Sequence, residues 1–473
     1  MPRIVARARF AAAAAAAALV SACALPPVTP DLQRYDPGAG YRWQNHSGAP
    51  GNDPGTLLVL TFSGGGTRAA AFAYGVLEEL RRTQARTPDG REGPLLRQVD
   101  LITGTSGGSF TALAYALYGE SLFGFYDGSF LKRNVEGELI ERLFDPLRWP
   151  QVLSQGVGRS ELAEEYYDEI LFRRATFADL AGLRTPFAVV GATDVSTGAR
   201  IDFTQAILDA MCVDLGKLRL SRAATASSAV PLLFSPVTLR NRGGSCGYAP
   251  PAWLADALAQ PREATLGNRA IERLRQNELL ADGARRPWIH MVDGGLSDNM
   301  ALYSVVETLQ EMMDNPAYRA DLRENGLRRV AIVIVNARSA LSFGFDQVPV
   351  APGPVELLVQ SISVPMDRYS SESVAALRDV VNEWRLRQRL QADARRLGRP
   401  VPAADELPAV DFSIVEVSFD AVADPQLRAY LQGLPTSFAL PEEAVDRLRE
   451  TAATLLRESP AFRKFSESLN SPP

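Results

Sequence analysis

The chain has 473 residues, 46% of them hydrophobic and 22% charged, with a formal net charge of −5 at pH 7. This length exceeds one ordinary core and predicts two to three packed units. The composition is that of a globular protein, and no apolar run beyond the N-terminal region reaches eighteen residues, so no spanning helix is expected in the mature chain. Arginine supplies nearly all of the positive charge alongside an excess of alanine, which indicates genomic base composition, so no nucleic-acid partner is expected.

The N-terminus has the pattern of a lipoprotein leader. Arginines precede an apolar run at residues 10–20, and small residues then lead to Cys23. We expect removal of the signal peptide at 1–22 and acylation of Cys23, because two or three acyl chains anchor a protein far more firmly than one. Cleavage of an ordinary signal peptide at an alanine is the alternative. The expected location is the bacterial envelope, on the outer membrane and facing the periplasm.

Two further features follow from export. Residues 23–54 are rich in proline and predict a tether between the anchor and the folded part. The compartment is oxidising, and two cysteines remain once Cys23 is assigned to lipid. We therefore predict a disulfide between Cys212 and Cys246, with two buried free thiols as the alternative.

The pattern of strands and helices predicts an α/β fold. An apolar strand at 56–62 runs through three glycines into a helix from Thr67, and a strand at 99–104 repeats this arrangement. Further strands are predicted at 186–195, 199–204, 288–293 and 328–337, with helices at 160–172 and 221–234. Strand, tight turn and helix in succession indicate a parallel sheet, here in a catalytic unit at about 55–340.

The remainder, 341–473, is predicted to be a largely helical extension. Helical patterns cover 352–396 and 442–458, and one strand is predicted at 411–419.

Residues 104–108 read GTSGG, the Gly-x-Ser-x-Gly pattern of a nucleophile elbow. The match alone is weak in a glycine-rich chain, but its position between a strand and a helix favours it. Such a turn holds the Ser106 hydroxyl above the sheet edge, with the next backbone N–H pointing where an oxyanion forms. The alternative is a turn that only connects the two elements.

A serine nucleophile needs a base, and the chain has only two histidines. His46 lies in the tether. His290 lies three positions before Asp293 in the same predicted strand, so the side chains of His290 and Asp293 point to opposite faces of the sheet. Asp293 ends its strand at the sheet edge where Ser106 also lies, and we predict it as the base. A solvent-facing aspartate in a strand-end turn is the alternative.

The motif GGGTR at 64–68 precedes a helix, and its backbone N–H groups predict a nest for a phosphate or an oxyanion. A phosphate loop would need a lysine that is absent here, so an oxyanion hole fits better. The predicted donors are the N–H groups of Gly64, Gly65, Gly66, Thr67 and Gly107. Arg68 is a candidate for binding an anionic head group, with a plain salt bridge as the alternative.

Taken together, SGGGTRAA, GTSGG and DGGLSDN resemble the three signature blocks of the patatin-like phospholipases, and residues 226–237 resemble a further segment of that family. The resemblance covers about 55–340. It implies a three-layer α/β/α fold around a mostly parallel sheet, a modified form of the α/β-hydrolase fold. Two positions depart from the family pattern, Ser63 where aspartate is common and Ala69 where glycine usually ends the block.

The resemblance also implies a function. Members of the family hydrolyse acyl esters of membrane phospholipids with a serine–aspartate dyad and no histidine, and the dyad here is Ser106 and Asp293. This chemistry does not need calcium, and we expect no metal or cofactor. Three alternatives stay open. The first is another acyl hydrolase, such as a lysophospholipase, thioesterase or carboxylesterase. The second is a non-catalytic envelope scaffold, and the third is a nucleotide-binding protein, which the missing lysine opposes.

Overall fold

The computed structural model describes residues 28–46, 48–87, 90–145, 158–231, 233–250, 259, 269–339, 345–347, 349 and 351–470. Within these residues, eight strands form one sheet with helices on both faces, and two short strands form a separate antiparallel pair. The strands are β1 (Thr56–Phe62), β2 (Gln84–Arg86), β3 (Glu92–Pro94), β4 (Val99–Gly104), β5 (Phe187–Asp194), β6 (Arg200–Asp202), β7 (Val237–Arg240), β8 (Trp288–Val292), β9 (Arg329–Asn336) and β10 (Asp411–Ser418).

The described α-helices alternate with these strands over most of the chain. They are α1 (Gly66–Arg82), α2 (Gly107–Tyr118), α3 (Val135–Phe144), α4 (Arg159–Tyr167), α5 (Phe177–Ala181), α6 (Gln205–Leu208), α7 (Leu220–Ser227), α8 (Arg269–Ala281), α9 (Gly295–Asp298), α10 (Tyr303–Asp314), α11 (Pro316–Glu324), α12 (Pro354–Arg396), α13 (Pro425–Gln432), α14 (Glu442–Glu458) and α15 (Pro460–Asn470). None of the helices in the described ranges combines the length and apolar character needed to cross a bilayer.

The sheet is mostly parallel, as expected. Its strands follow the order β10-β9-β1-β4-β5-β8-β7, with β6 paired to β5. The five strands from β10 to β5 are parallel, whereas β8 is antiparallel to β5 and β7 is antiparallel to β8. The parallel strands are continuous apolar runs because helices cover both of their faces.

The two faces of the sheet bury separate cores, which makes the fold a three-layer sandwich. Leu58 and Leu60 of β1 belong to the core that also contains residues of α1, α2 and α14. Val59, which points the opposite way, belongs to the core that contains residues of α10 and α12. The predicted α/β class and three-layer arrangement are confirmed.

Local patterns predicted most element bounds well. β1, β4 and α14 begin and end at the predicted residues, and β5, β6, β8, β9 and β10 lie within their predicted ranges. The helix predicted at 221–234 instead ends at Ser227, and Pro231, which cannot continue a helix, follows shortly after. The stretch at 160–172 forms α4 and then a π-helical turn.

The region after residue 340 is largely helical as predicted, and it packs on the preceding part of the chain. β10 pairs with β9 in parallel register along its whole length and so forms an edge of the main sheet. Arg449 of α14 makes an ion pair of 2.8 Å with Glu78 of α1. The C-terminal region is therefore built into the catalytic unit.

The described part of the predicted tether is also packed on this unit. Leu32 N–H and Tyr35 N–H donate to the carbonyls of Cys212 and Cys246 at 2.9 Å each, and Tyr41 is buried. The predicted disulfide between Cys212 and Cys246 is confirmed, and it joins the two segments that this N-terminal strip contacts. The predicted signal peptide at 1–22 and Cys23 lie outside the described residues.

Candidate active site

The turn between β4 and α2 holds Ser106 in a strained conformation. Its φ of 50° and ψ of −121° place a non-glycine residue in a region that L-residues avoid. The glycines of the motif are needed because the backbone is crowded here: a Cβ at Gly104 would lie 2.8 Å from the Gly108 carbonyl oxygen, and one at Gly108 would lie 2.6 Å from the Phe62 carbonyl oxygen. The predicted elbow therefore has a sharp, closely packed strand-to-helix turn.

Ser106 is hydrogen-bonded to the predicted base. Its Oγ donates to Asp293 Oδ2 at 2.8 Å, while the N–H of Gly295 donates to Asp293 Oδ1 at 2.7 Å. Both side chains are almost fully buried. Burial raises the pKa of Asp293 to about 6, although these two hydrogen bonds lower it in part. The carboxyl group can therefore be ionised near neutral pH and still accept a proton readily.

Asp293 reaches Ser106 by a route that the sequence did not predict. The prediction took the carboxyl ends of parallel strands to meet at one edge, but β8 is antiparallel to β5. Val292 pairs with Thr193 near the end of β5, whereas Gly104 at the end of β4 pairs with Val190. β5 therefore extends beyond the end of β4, and β8 runs back along this extension toward the turn that holds Ser106. Asp293 directly follows β8 and so lies next to Ser106.

Ser227, at the end of α7, is hydrogen-bonded to Ser106 and to Gly294, the residue that follows Asp293. Its Oγ accepts the backbone N–H of Ser106 at 2.9 Å, and its carbonyl accepts the N–H of Gly294 at 3.0 Å. Sequence reasoning missed Ser227 as a site residue. Its only signal was the resemblance of residues 226–237 to a further family segment.

The prediction is wrong for two of the oxyanion-hole donors, Gly64 and Thr67. The N–H of Gly64 donates to the Asn299 carbonyl and the N–H of Thr67 donates to the Ser437 carbonyl, both at 2.9 Å, so the fold itself uses them. For the N–H groups of Gly65, Gly66 and Gly107, no acceptor is found in the described part of the chain. These three remain as candidates. A Cβ at Gly107 would lie 2.7 Å from the Gly66 nitrogen, so the two turns are in direct contact.

The prediction that Arg68 binds a head group is also wrong. The side chain is buried, and its Nε donates to the Ala337 carbonyl at 2.9 Å. The remaining donors contact the Leu434 carbonyl, Ser339 Oγ at 3.3 Å and Thr436 Oγ1 at 3.1 Å. A guanidinium group offers several donors in one plane, and here they hold two loops together instead of facing a ligand.

Neither histidine approaches the pair. His290 is exposed, and its Nδ1 lies 2.8 Å from Thr238 Oγ1 on the neighbouring strand β7. His46 packs against Phe187 at the start of β5, with ring centroids 5.6 Å apart, at the opposite end of the sheet from Ser106. Burial lowers the pKa of His46. The structure thus brings Asp293, and not a histidine, to Ser106.

An apolar cavity opens above the site. Its volume is about 110 Å³, and Ser106 and Gly66 form part of its wall. Most of the remaining wall is aliphatic or aromatic, contributed by α3 and by Val230, Leu233, Phe234 and Phe438. Its polar lining includes Glu136, Arg159 and Ser437. A hydrophobic chain fits this environment better than a charged or strongly polar ligand.

The family model for patatin-like phospholipase matches residues 60–306. The chain belongs to the patatin-like phospholipase family. A cGAMP-activated phospholipase of Escherichia coli (strain TW11681) is 30% identical over 191 residues, which are 39% of this chain and 49% of the relative. The chain therefore spans about half the length of the curated relative that it matches.

Solved structures similar to this chain include human GIVD cytosolic phospholipase A2, with a TM-score of 0.44 and 12% identity over 88% of this chain and 63% of that chain. VipD from Legionella pneumophila is similar with a TM-score of 0.25 and 11% identity, over 91% of this chain and 71% of that chain.

The patatin-like region does not contain the whole cavity. Phe438 and Ser437 lie far beyond residue 306, yet both line it. Ser63, one of the departures from the family pattern, is also used by the fold, because its Oγ accepts the N–H of Ala337 at 2.9 Å. The second departure, Ala69, is buried in the core.

Proposed function

We propose that this patatin-like phospholipase hydrolyses acyl ester bonds of membrane phospholipids, with Ser106 as the nucleophile and Asp293 as its base. One observation carries the proposal: Ser106 Oγ donates to the buried Asp293 Oδ2 at 2.8 Å, in the wall of an apolar cavity. A nucleophile within hydrogen-bond reach of a base is the arrangement that acyl transfer needs.

In the first half of the reaction, Ser106 Oγ bonds to the ester carbonyl carbon and Asp293 Oδ2 takes the hydroxyl proton. The carbonyl oxygen becomes an oxyanion, which the N–H groups of Gly65, Gly66 and Gly107 stabilise. The intermediate collapses as the bond to the alcohol oxygen breaks. Asp293 gives its proton to that oxygen, and the lysolipid leaves.

In the second half, water attacks the acyl-enzyme. Asp293 takes a proton from the water as its oxygen bonds to the acyl carbon, and the same N–H groups hold the second oxyanion. The bond to Ser106 Oγ then breaks, Ser106 recovers the proton from Asp293, and the fatty acid leaves. A pKa of about 6 suits both roles of Asp293, because the group is mainly ionised at neutral pH and is more basic than an ordinary carboxylate.

The rim of the cavity supports a lipid aggregate as the source of the substrate. Ile140 and Leu233 line the cavity and are 50% and 59% exposed. Phe144, one helical turn beyond Ile140 on α3, is 67% exposed. Large apolar side chains around a cavity mouth favour contact with a bilayer surface.

Release of fatty acid from vesicles of diacyl phospholipid tests this function. Wild-type protein is expected to release fatty acid and lysolipid, and Ser106→Ala neither. If the protein hydrolysed only lysophospholipid or only a thioester, its substrate would belong to one of the alternative classes and not to the diacyl phospholipids. A fluorophosphonate probe that fails to label the folded wild-type protein at Ser106 would favour a non-catalytic scaffold.

We also propose that a lipid on Cys23 anchors the protein to the outer membrane, facing the periplasm. The leader pattern supports this proposal, as does the disulfide between Cys212 and Cys246, which suits an oxidising compartment. Metabolic labelling with an alkynyl fatty acid and membrane fractionation test it. Cys23→Ser is expected to lose the label and the membrane association, and retention of both would contradict the anchor.

A further inference from the structure

A segment near the C-terminus closes one side of the cavity. Residues 434–440, here named the C-terminal strap, connect α13 to α14. Thr436, Ser437 and Phe438 of the strap line the same cavity as Ser106. The matched family region ends at residue 306, so the strap lies outside it.

The strap is bound to the glycine loop that carries the candidate oxyanion donors. The Ser437 carbonyl accepts the N–H of Thr67 at 2.9 Å. The strap lies so close that a Cβ at Gly66 would be 2.4 Å from that same carbonyl oxygen. Arg68 adds two contacts, to the Leu434 carbonyl and to Thr436 Oγ1. The loop and the strap therefore hold one another in place.

A second set of contacts binds the strap to α3, on the other side of the cavity. Glu136 Oε2 accepts the Ser437 hydroxyl and, at 3.2 Å, the N–H of Phe438. The N–H of Glu136 donates back to the Phe438 carbonyl at 3.3 Å. Hydrogen bonds to a carboxylate are stronger than neutral ones, so these contacts fix the strap relative to α3.

Phe438 belongs to the buried part of the cavity wall. Its ring packs edge-on against Phe110 and Phe130, with centroids 5.4 and 6.3 Å apart, and both of these rings are fully buried. Ile140 and Leu233 are half exposed and mark the mouth. A chain that enters between Ile140 and Leu233 therefore meets Phe438 at depth.

We propose that the C-terminal strap forms part of the acyl-binding site and that the Phe438 ring sets the length of the acyl chain that the cavity accepts. This assignment rests on the proposed acyl hydrolysis. Replacing the ring by a methyl group leaves room for further methylene groups of the substrate. Each methylene buried is worth about 0.8 kcal/mol, which corresponds to about a fourfold gain in kcat/KM.

A series of p-nitrophenyl esters from butyrate to palmitate tests the assignment through the ratio of kcat/KM on long and short chains. Phe438→Ala is expected to raise the palmitate-to-butyrate ratio by about tenfold or more, the effect of two methylenes. Phe438→Trp is expected to lower this ratio, and it keeps an aromatic ring in the cluster should the alanine variant fail to fold.

Phe130→Ala is the matched control. It removes a ring from the same aromatic cluster, but Phe130 is not part of the cavity wall, so it is expected to lower stability and leave the chain-length ratio unchanged. An unchanged ratio in both Phe438 variants, or an equal shift in Phe130→Ala, would overturn the role of Phe438 while the enzyme remained active. If wild-type protein hydrolysed none of the esters, the proposed function would fail, and this assignment with it.

Discussion

Ser106 Oγ and Asp293 Oδ2 lie 2.8 Å apart although 187 positions separate the two residues in sequence. The second carboxylate oxygen is held by the N–H of Gly295 at 2.7 Å, so the carboxylate cannot turn away from the serine. Ser227 fixes the backbone on both sides of this contact. The pair is thus pre-organised before any substrate binds, which lowers the entropic cost of reaching the transition state.

The activity should depend on the ionisation of Asp293. In the proposed mechanism the carboxylate is the active form, and burial raises the pKa of Asp293 to about 6. We expect kcat/KM on a soluble ester to be constant above about pH 7 and to fall by about tenfold per pH unit below about pH 6. The profile should be the same in His290→Ala. An apparent pKa near the ordinary value of aspartate, or one that moves in His290→Ala, would contradict the assignment.

Asp293→Asn should inactivate the protein and stabilise it. A raised pKa means that the folded state binds this proton more tightly than the unfolded chain, so the proton's contribution to stability is complete at low pH and is lost as the pH rises through about 6. At pH 8 the buried charge lowers the free energy of unfolding by roughly 3 kcal/mol. Asparagine removes that charge. Thermal unfolding should show a higher Tm than wild type at about pH 8 and a smaller difference at about pH 4.5.

Ser227→Ala should lower kcat without a comparable change in KM. The variant removes the acceptor of the Ser106 N–H and loosens the strained elbow, whereas the acyl cavity keeps its lining. We expect a loss of about tenfold or more in kcat, in the range of one buried hydrogen bond. Steady-state kinetics on a soluble ester measure the two constants separately.

Ser228→Ala is the control for that measurement. Ser228 is equally buried and adjacent, but its Oγ donates to the Ala224 carbonyl at 2.8 Å within α7. Its loss should affect stability and leave kcat within about twofold. Equal losses of kcat in the two variants would show that Ser227 acts only through the stability of α7.

Phe144→Asp should reduce contact with the bilayer without changing the reaction at Ser106. Phe144 is 67% exposed beside the cavity mouth and touches neither Ser106 nor Asp293 in the described contacts. A charge there should reduce hydrolysis of phospholipid vesicles by about tenfold, because inserting a charged side chain into the interface is unfavourable. Turnover of a soluble short ester should stay close to wild type.

Leu390→Asp provides the comparison, since Leu390 is 59% exposed on α12 and is not part of the cavity wall. It should leave both activities unchanged. A vesicle-specific loss in Leu390→Asp, or none in Phe144→Asp, would place the bilayer contact elsewhere.

Local sequence patterns predicted the elements well, and they also predicted that Ser106 and Asp293 lie together. β1 and β4 are continuous apolar runs that end in glycine-rich turns, so their bounds could be read from the sequence. Ser106 and Asp293 could be paired because each follows a strand and because the chain is poor in histidine. The direction of β8 could not be predicted, since an apolar run does not specify whether its neighbour is parallel or antiparallel.

The contacts of the glycine loop at residues 64–68 could not be predicted from the sequence. Arg68 binds the Leu434 carbonyl across 366 positions of sequence, and the N–H of Thr67 is used by Ser437. Every residue has a backbone carbonyl, so the sequence does not show where these acceptors lie. Nothing in the motif GGGTR therefore indicates which of its N–H groups are already hydrogen-bonded within the protein. The same reason hid the position of the C-terminal strap, whose residues contact the loop mainly through their backbone.

Hydrolysis of a soluble short-chain ester by wild-type protein and four single variants tests the histidine-free dyad most directly. Ser106→Ala and Asp293→Ala should each lose turnover by about a thousandfold or more, in the range that removing a nucleophile or its base produces. His290→Ala and His46→Ala should stay within about threefold of wild type, because neither ring contacts the pair. Loss of turnover in either folded histidine variant, or full activity in Asp293→Ala, would contradict the account.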